Sequence, residues 1–140
     1  MPQASTLRTL LAGTSKGPRV IPGVGTSLEA VSAEAAGFSA IYMSGYAVAA
    51  WRHGLPDLGL LGARDTADAV EAITRVVSVP LIVDADTGYV RPASVHVNVR
   101  LLEPAGSAAI PLVDPVWPNN FGPISNKEAI PSAEAPIHIA

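Results

Sequence analysis

The apolar and polar positions of this 140-residue chain follow two alternating periods. Short continuous apolar runs, bounded by Gly, Pro and Ser, read as buried strands. Between them, apolar residues recur every three to four positions, the spacing of one helix face. In chain order the pattern predicts a helix over Ser5–Ala12, with Leu7, Leu10 and Leu11 on one face, and then a loop from Gly13 to Pro18. A first strand follows over Arg19–Val24, with Pro22 and Gly23 awkward in its interior. Thr26 or Ser27 caps a helix over Leu28–Ala36 that carries Glu29 in its first turn and stops at Gly37. Phe38–Met43 is the second strand, with Ser44-Gly45 directly after it. Tyr46–Trp51 makes one helical turn and His53–Gly62 a loop. Asp65 or Thr66 caps the helix Ala67–Val77, in which Ala69, Val70, Ile73 and Val77 fall at helical spacing. Leu81–Val83 is the third strand, entered through Pro80, where a missing N–H costs least. A helix over Pro92–Ala105 is expected because Ala105-Gly106 closes it as Ala36-Gly37 closes the earlier one. Its own pattern is poor: Val95, Val97 and Val99 alternate, and Pro104 sits in the last turn. Ala108–Val113 is a fourth strand with Pro111 inside it. From Asp114 onward the turn residues Pro115, Pro118, Asn119, Asn120, Gly122 and Pro123 dominate. Lys127–Ile130 is a helical turn, and Pro131–Ala140 a loose tail.

Strand and helix therefore alternate, which argues for an α/β fold with a parallel sheet and right-handed crossovers. An open doubly wound sheet and part of a (β/α)₈ barrel both fit. Polar residues gather just after strands: Ser44-Gly45 after the second, Asp84 and Asp86 after the third, Asp114 after the fourth. In either architecture ligands bind at the carboxyl ends of strands.

Composition narrows the function classes. The chain is 49% apolar, enough for one core, and residues 1–140 read as a single domain with a loop-rich, Pro-rich end over 114–140. Net charge is −3 without a basic block, so nothing points to nucleic acid. No apolar run approaches a membrane span, and no signal-peptide core precedes Gly17. The absence of cysteine excludes disulfides, thiolate metal sites and a cysteine nucleophile, and fits a cytoplasmic location.

The chemistry concentrates in Leu81-Ile82-Val83-Asp84-Ala85-Asp86-Thr87-Gly88-Tyr89. In an extended backbone Asp84 and Asp86 point to the same side, where two like charges repel unless a cation or protons intervene. An oxygen-rich pair of this kind suits a hard cation, Mg²⁺ or Mn²⁺. The plainer alternative is a polar strand end that caps the next turn. Likewise Ser44-Gly45 also reads as an ordinary strand-to-loop turn. His53, His96 and His138 show no ligand spacing. Trp51 and Trp117 read as packing residues, and Arg19, Arg64 and Arg91 as solvated ones.

Five pieces together resemble the isocitrate lyase and phosphoenolpyruvate mutase superfamily, most nearly its short 2-methylisocitrate lyase-like members. They are Ile41-Tyr42-Met43-Ser44-Gly45, Gly54-Leu55-Pro56-Asp57-Leu58-Gly59, Val83-Asp84-Ala85-Asp86-Thr87-Gly88-Tyr89, Ala105-Gly106-Ser107-Ala108-Ala109-Ile110, and Val116-Trp117-Pro118 with Lys127-Glu128 and Ile130-Pro131 downstream. The resemblance covers roughly residues 5 to 132 and implies a (β/α)₈ barrel, here about its first four βα units. It further implies Mg²⁺ (or Mn²⁺) held by Asp84 and Asp86 with Asp57 near the same centre. The carboxylate of a small 2-oxo or 2-hydroxy acid would lie on Ser44, Gly45, the position of Tyr46, and Gly122, with Tyr42 as support. The implied activity makes or breaks a C–C or C–P bond beside a 2-oxo acid or its enolate.

The chain also departs from that family. The lyase loop of two basic residues, cysteine, glycine and histidine reads Asn119, Asn120, Phe121, Gly122 and Pro123, so Phe121 stands at the acid/base position. Glu-Asp-Gln after the fourth strand reads Val113-Asp114-Pro115, and the glycine after the Asp-Thr-Gly-Tyr turn is Val90. A barrel needs about 250 residues. Three readings follow: a methylisocitrate-type carbon–carbon lyase, impaired or inactive in this chain; a 2-oxo acid decarboxylase or phosphonate enzyme that needs no cysteine; and a non-catalytic truncated half barrel, the account the residues favour. An open half barrel would leave an unpaired edge and apolar faces, so self-association is expected.

Overall fold

A computed structural model describes residues 2–13, 17–89 and 92–113. The Pro-rich end from Asp114, with Trp117, Asn119, Asn120, Phe121, Gly122, Pro123, the Lys127–Ile130 turn and the tail to Ala140, lies outside the described residues, as do Val90 and Arg91.

Three short strands, β1 (Gly23–Val24), β2 (Ile41–Met43) and β3 (Leu81–Val83), form one parallel sheet in that order. The rungs pair Val24 with Met43, and Ile41, Tyr42 and Met43 with Leu81, Ile82 and Val83. Around them lie α1 (Pro2–Ala12), α2 (Ser27–Ala35), α3 (Gly45–Val48), α4 (Ala63–Thr74) and α5 (Pro92–Ala105). Side chains alternate across a strand. Ile41, Met43, Leu81 and Val83 are buried in one core with Ala30 and Ala33 of α2, Ala69, Val70 and Ile73 of α4, and Leu102 and Ala105 of α5. Tyr42 and Ile82, on the opposite face, are half-buried. Helices gathered on one face of a parallel sheet mark a barrel wall rather than a doubly wound sheet. No helix among the described residues is long and apolar enough to cross a membrane.

Strand lengths depart from the expected ones where proline interrupts the ladder. The expected Arg19–Val24 strand contracts to Gly23–Val24; Pro22 has no N–H and takes part only through its carbonyl, which accepts from Tyr42 N–H at 2.9 Å. The second strand begins at Ile41 rather than Phe38, because the Phe38 N–H still closes α2 on Ala33. The expected fourth strand over Ala108–Val113 is a single parallel bridge between Ile82 and Ala109, and Pro111 removes the donor that would extend it.

The helices are largely as the pattern has them. α2 is capped by Thr26 in a capping box with Glu29, and α5 spans Pro92–Ala105. In α5, Val95, Leu102 and Ala105 are buried while Val97 is exposed, so helical periodicity outweighs the valine alternation. α4 starts at Ala63 with Gly62 as its cap, not at Asp65 or Thr66; Asp65 sits at the third position and accepts the Gly62 N–H at 2.9 Å. Thr74 Oγ1 ties α4 to α5 through the Ala105 carbonyl at 2.9 Å. α3 lies so close to the β1–α2 connection that a Cβ on Gly25 would stand 2.5 Å from the Ala47 carbonyl carbon.

Core position decides the cost of truncation. Ile73→Ala, at a fully buried site, should destabilise the chain by roughly 2–5 kcal/mol. Val97→Ala, at a site 64% exposed, should change stability by less than about 0.5 kcal/mol. Urea denaturation of the two variants checks the pair.

Candidate functional site

The in-register ends of β2 and β3 define the site. Asp84 N–H donates to the Met43 carbonyl at 3.0 Å, so Ser44-Gly45 and Asp84 leave the sheet side by side. Gly45 N–H faces Asp84 Oδ2 at 3.5 Å. Asp57 arrives by another route. α3 passes into a π-helical turn over Ala49–His53, which ends at Gly54 in the left-handed conformation (φ 66°). The chain then folds back, with Leu55 N–H on the Ala49 carbonyl at 3.0 Å. Pro56 and Asp57 thereby come to line a small open cleft together with Gly45, Asp84, Asp86 and Tyr89.

Asp86 reaches the cleft by a turn, not by the extended backbone expected from its spacing. The strand ends at Val83, and Asp86 has φ 49°. Its N–H donates to Asp84 Oδ1 at 3.2 Å, and Gly88 N–H donates to the Ala85 carbonyl at 2.8 Å. Gly88 and Tyr89 are also left-handed (φ 82° and 62°). For a non-glycine residue that region costs roughly 1–2 kcal/mol, with Asp better tolerated than Tyr. The turn is therefore strained, and residues around it must hold it.

Charge accumulates here. The Asp86 carboxyl is pushed up to about 6 by burial, then by the Asp84 carboxylate and then by Asp57. Tyr42, on the inner face of β2, is raised to about 12 by burial, by the Asp84 charge and by its hydrogen bond to that carboxylate. Tyr89 is raised by burial and by Asp86 and Asp84, against an opposing hydrogen bond to Thr66. Both phenols thus stay protonated and act as donors. No Lys, Arg or His lines the cleft among the described residues.

Of the residues singled out from the sequence, the cleft brings together Gly45, Asp57, Asp84 and Asp86, and Tyr42 joins through Asp84. Ser44 is adjacent, but its N–H is engaged by the Val24 carbonyl at 3.1 Å. Tyr46 is 57% exposed and does not line the cleft. Gly122 and Phe121 lie outside the described residues. Thr66 and Tyr89 line the cleft without having been singled out as site residues. The sequence does carry a signal for Thr66, a hydroxyl on the helix face otherwise formed by Ala69, Val70 and Ile73. Among the described residues no three acidic or histidine side chains close into a metal-ligating cluster. The donor set still fits Mg²⁺, which is commonly bound by one or two carboxylates and completes its shell with water or substrate oxygens.

The profile of the phosphoenolpyruvate phosphomutase family matches residues 11–136. The chain belongs to this family. A 2-methylisocitrate lyase of Aeropyrum pernix is 45% identical over 111 residues, 79% of this chain and 36% of that protein. The structure of an oxaloacetate acetylhydrolase in complex with 3,3-difluorooxalacetate superposes with a TM-score of 0.88 at 33% identity, over 98% of this chain and 46% of that one. A phosphonopyruvate hydrolase complexed with oxalate and Mg²⁺ superposes with a TM-score of 0.77 at 33% identity, over 86% of this chain and 41% of that one. The chain thus spans less than half the length of each of these relatives, and its sheet and helices form part of the family's α/β barrel. The family resemblance and the partial-barrel fold expected from the motifs are both borne out.

The raised Asp86 carboxyl gives a pH prediction with a definite sign. Its folded value, about 6, lies above its ordinary value of 3.8. The neutral form is favoured by folding, so this contribution is full below about pH 4 and is lost as pH rises through about 6. Without added divalent ions, stability relative to Asp86→Asn should fall between pH 4 and 7 by on the order of 1–2 kcal/mol after solvent screening. Urea titrations of both chains across that range test it; parallel pH profiles would contradict it.

Proposed function

We propose that this chain carries the divalent-cation and 2-oxo acid site of a carbon–carbon lyase of the methylisocitrate lyase type. One observation carries the reading: Asp57, Asp84 and Asp86 all line one cleft at the strand ends. Asp84 and Asp86 would hold Mg²⁺ or Mn²⁺, with Asp57 acting through bound water. A bound cation supplies positive charge against the enolate oxygens left when a bond beside a 2-oxo acid breaks. Gly45 N–H and the Ser44 hydroxyl would orient the acid's carboxylate. Tyr42, beside Asp84, would help to orient that carboxylate. The ligands of the related structures, difluorooxalacetate and oxalate, are small acids of the matching class.

A second reading follows from the sequence itself. The chain contains no cysteine, and Phe121 stands at the position where the family resemblance implies a cysteine acid/base. Cation and acid binding without carbon–carbon cleavage, or a decarboxylation or phosphonate reaction that needs no thiol, is consistent with that position.

Thermal unfolding with Mg²⁺ and oxalate tests the binding claim. A ligand that binds only the folded chain stabilises it by about 2.7 kcal/mol at hundredfold excess over its dissociation constant. The melting temperature should rise with Mg²⁺, rise further with oxalate added, and stay fixed in Asp84→Ala. An unshifted melt in the parent chain, or an equal shift in the variant, would overturn the reading.

A further inference from the structure

The strained turn that presents Asp86 is gripped from two helices. From α4, Thr66 Oγ1 accepts the Tyr89 hydroxyl at 2.6 Å and donates to the Gly62 carbonyl at 3.3 Å. Thr66 is 5% exposed, the one buried polar side chain among the described residues, and it stands on the face of α4 that otherwise carries Ala69, Val70 and Ile73. From α5, Asn98 Nδ2 donates to the Gly88 carbonyl at 2.8 Å. Val95 of the same helix packs so closely that a Cβ on Gly88 would stand 2.5 Å from Val95 Cγ2. Both hydrogen bonds therefore act on the two left-handed residues that close the turn, Gly88 and Tyr89. A third bond, from Val113 N–H to the Asp86 carbonyl at 2.9 Å, fixes the Asp86 backbone itself.

This grip opposes two forces. Repulsion between the Asp84 and Asp86 carboxylates favours turning Asp86 outward. The left-handed backbone at Asp86 and Tyr89 favours relaxing toward the ordinary regions. A helix hydroxyl and a helix amide that engage neither carboxylate directly hold both forces in check.

We propose that Thr66 and Asn98 are positioning residues that act through Tyr89 and Gly88 to keep Asp86 facing Asp84, and so set the affinity of that pair for a divalent cation. The proposal rests on the reading of these carboxylates as a cation site. It separates two roles within one turn: Asp84 and Asp86 supply the charge, and α4 and α5 supply the geometry. Supporting groups of this kind commonly change metal affinity by about 10- to 100-fold when removed.

Calorimetric titration of the full chain with Mn²⁺, together with metal-free thermal melts, tests it. Thr66→Val and Tyr89→Phe should each weaken Mn²⁺ binding about tenfold. Because they break the same bond, the double variant should bind no more weakly than either single one. Thr66→Ser, which restores the hydroxyl, should bind within about twofold of the parent even if its melting temperature is lower. Asn98→Ala, on the other helix, should also weaken binding and serves if Thr66→Val does not melt cooperatively. Parental Mn²⁺ affinity in folded Tyr89→Phe and Asn98→Ala, with binding still lost in Asp84→Ala, would overturn the positioning role and leave the cation site standing. No Mn²⁺ binding by the parent, or unchanged binding in Asp84→Ala, would overturn the cation reading and the positioning role with it.

Discussion

One backbone hydrogen bond, from Asp84 N–H to the Met43 carbonyl at 3.0 Å, sets the geometry of everything above it. It is the last link between β2 and β3, and it fixes where both strands leave the sheet. Parallel pairing places two chain exits on the same edge, and the register makes them level. Ser44-Gly45 and Asp84 thus become neighbours although 39 residues separate Gly45 from Asp84. A one-residue slip would send Asp84 to the other face and bury its carboxylate among the helices. The buried residues Leu81 and Val83 forbid that slip, because they would trade faces with Ile82 and Asp84. Core packing and the placement of the acidic site are in this sense one constraint.

Above the sheet, the physics changes from burial to charge. Three aspartates share a cleft, and Asp86 meets that field by holding its proton until about pH 6. A divalent ion would relieve the same repulsion far more fully than a proton. The site is thereby poised between two ways of neutralising the same charge, and this competition links its pH dependence to its proposed ligand. Side chains of α4 and α5 bond to the turn that contains the strained left-handed backbone at Asp86 and Tyr89.

Much of this was legible in the residues. The apolar runs and helix stops place the third strand at Leu81–Val83 and the last helix at Pro92–Ala105, and the structure has both there. Motif order identifies the family. Strand ends were less legible: Pro22 and Pro111 withdraw a donor that the apolar pattern alone does not price. The approach of Asp86 to Asp84 depends on a positive φ, which side-chain periodicity cannot express. The arrival of Asp57 depends on a π-helical turn and on Gly54, neither of which leaves a period to read. The family resemblance implies a binding role for the backbone at the position of Tyr46, and the side chain there is largely in solvent. Thr66 reads from the sequence as a candidate cap, and its place on the apolar face of α4 with Tyr89 as partner appears only when the chain is folded.

The most direct measurement is the loss of amide signals from the ¹⁵N-labelled chain on titration with paramagnetic Mn²⁺. The account predicts selective broadening at Gly45, Asp84, Asp86 and Gly59, around the cleft, while Gly37, which precedes β2 at the opposite end of the sheet, stays sharp. Uniform broadening, no broadening, or broadening centred on the exposed acidic face of α4 at Asp68 and Glu71 would contradict it.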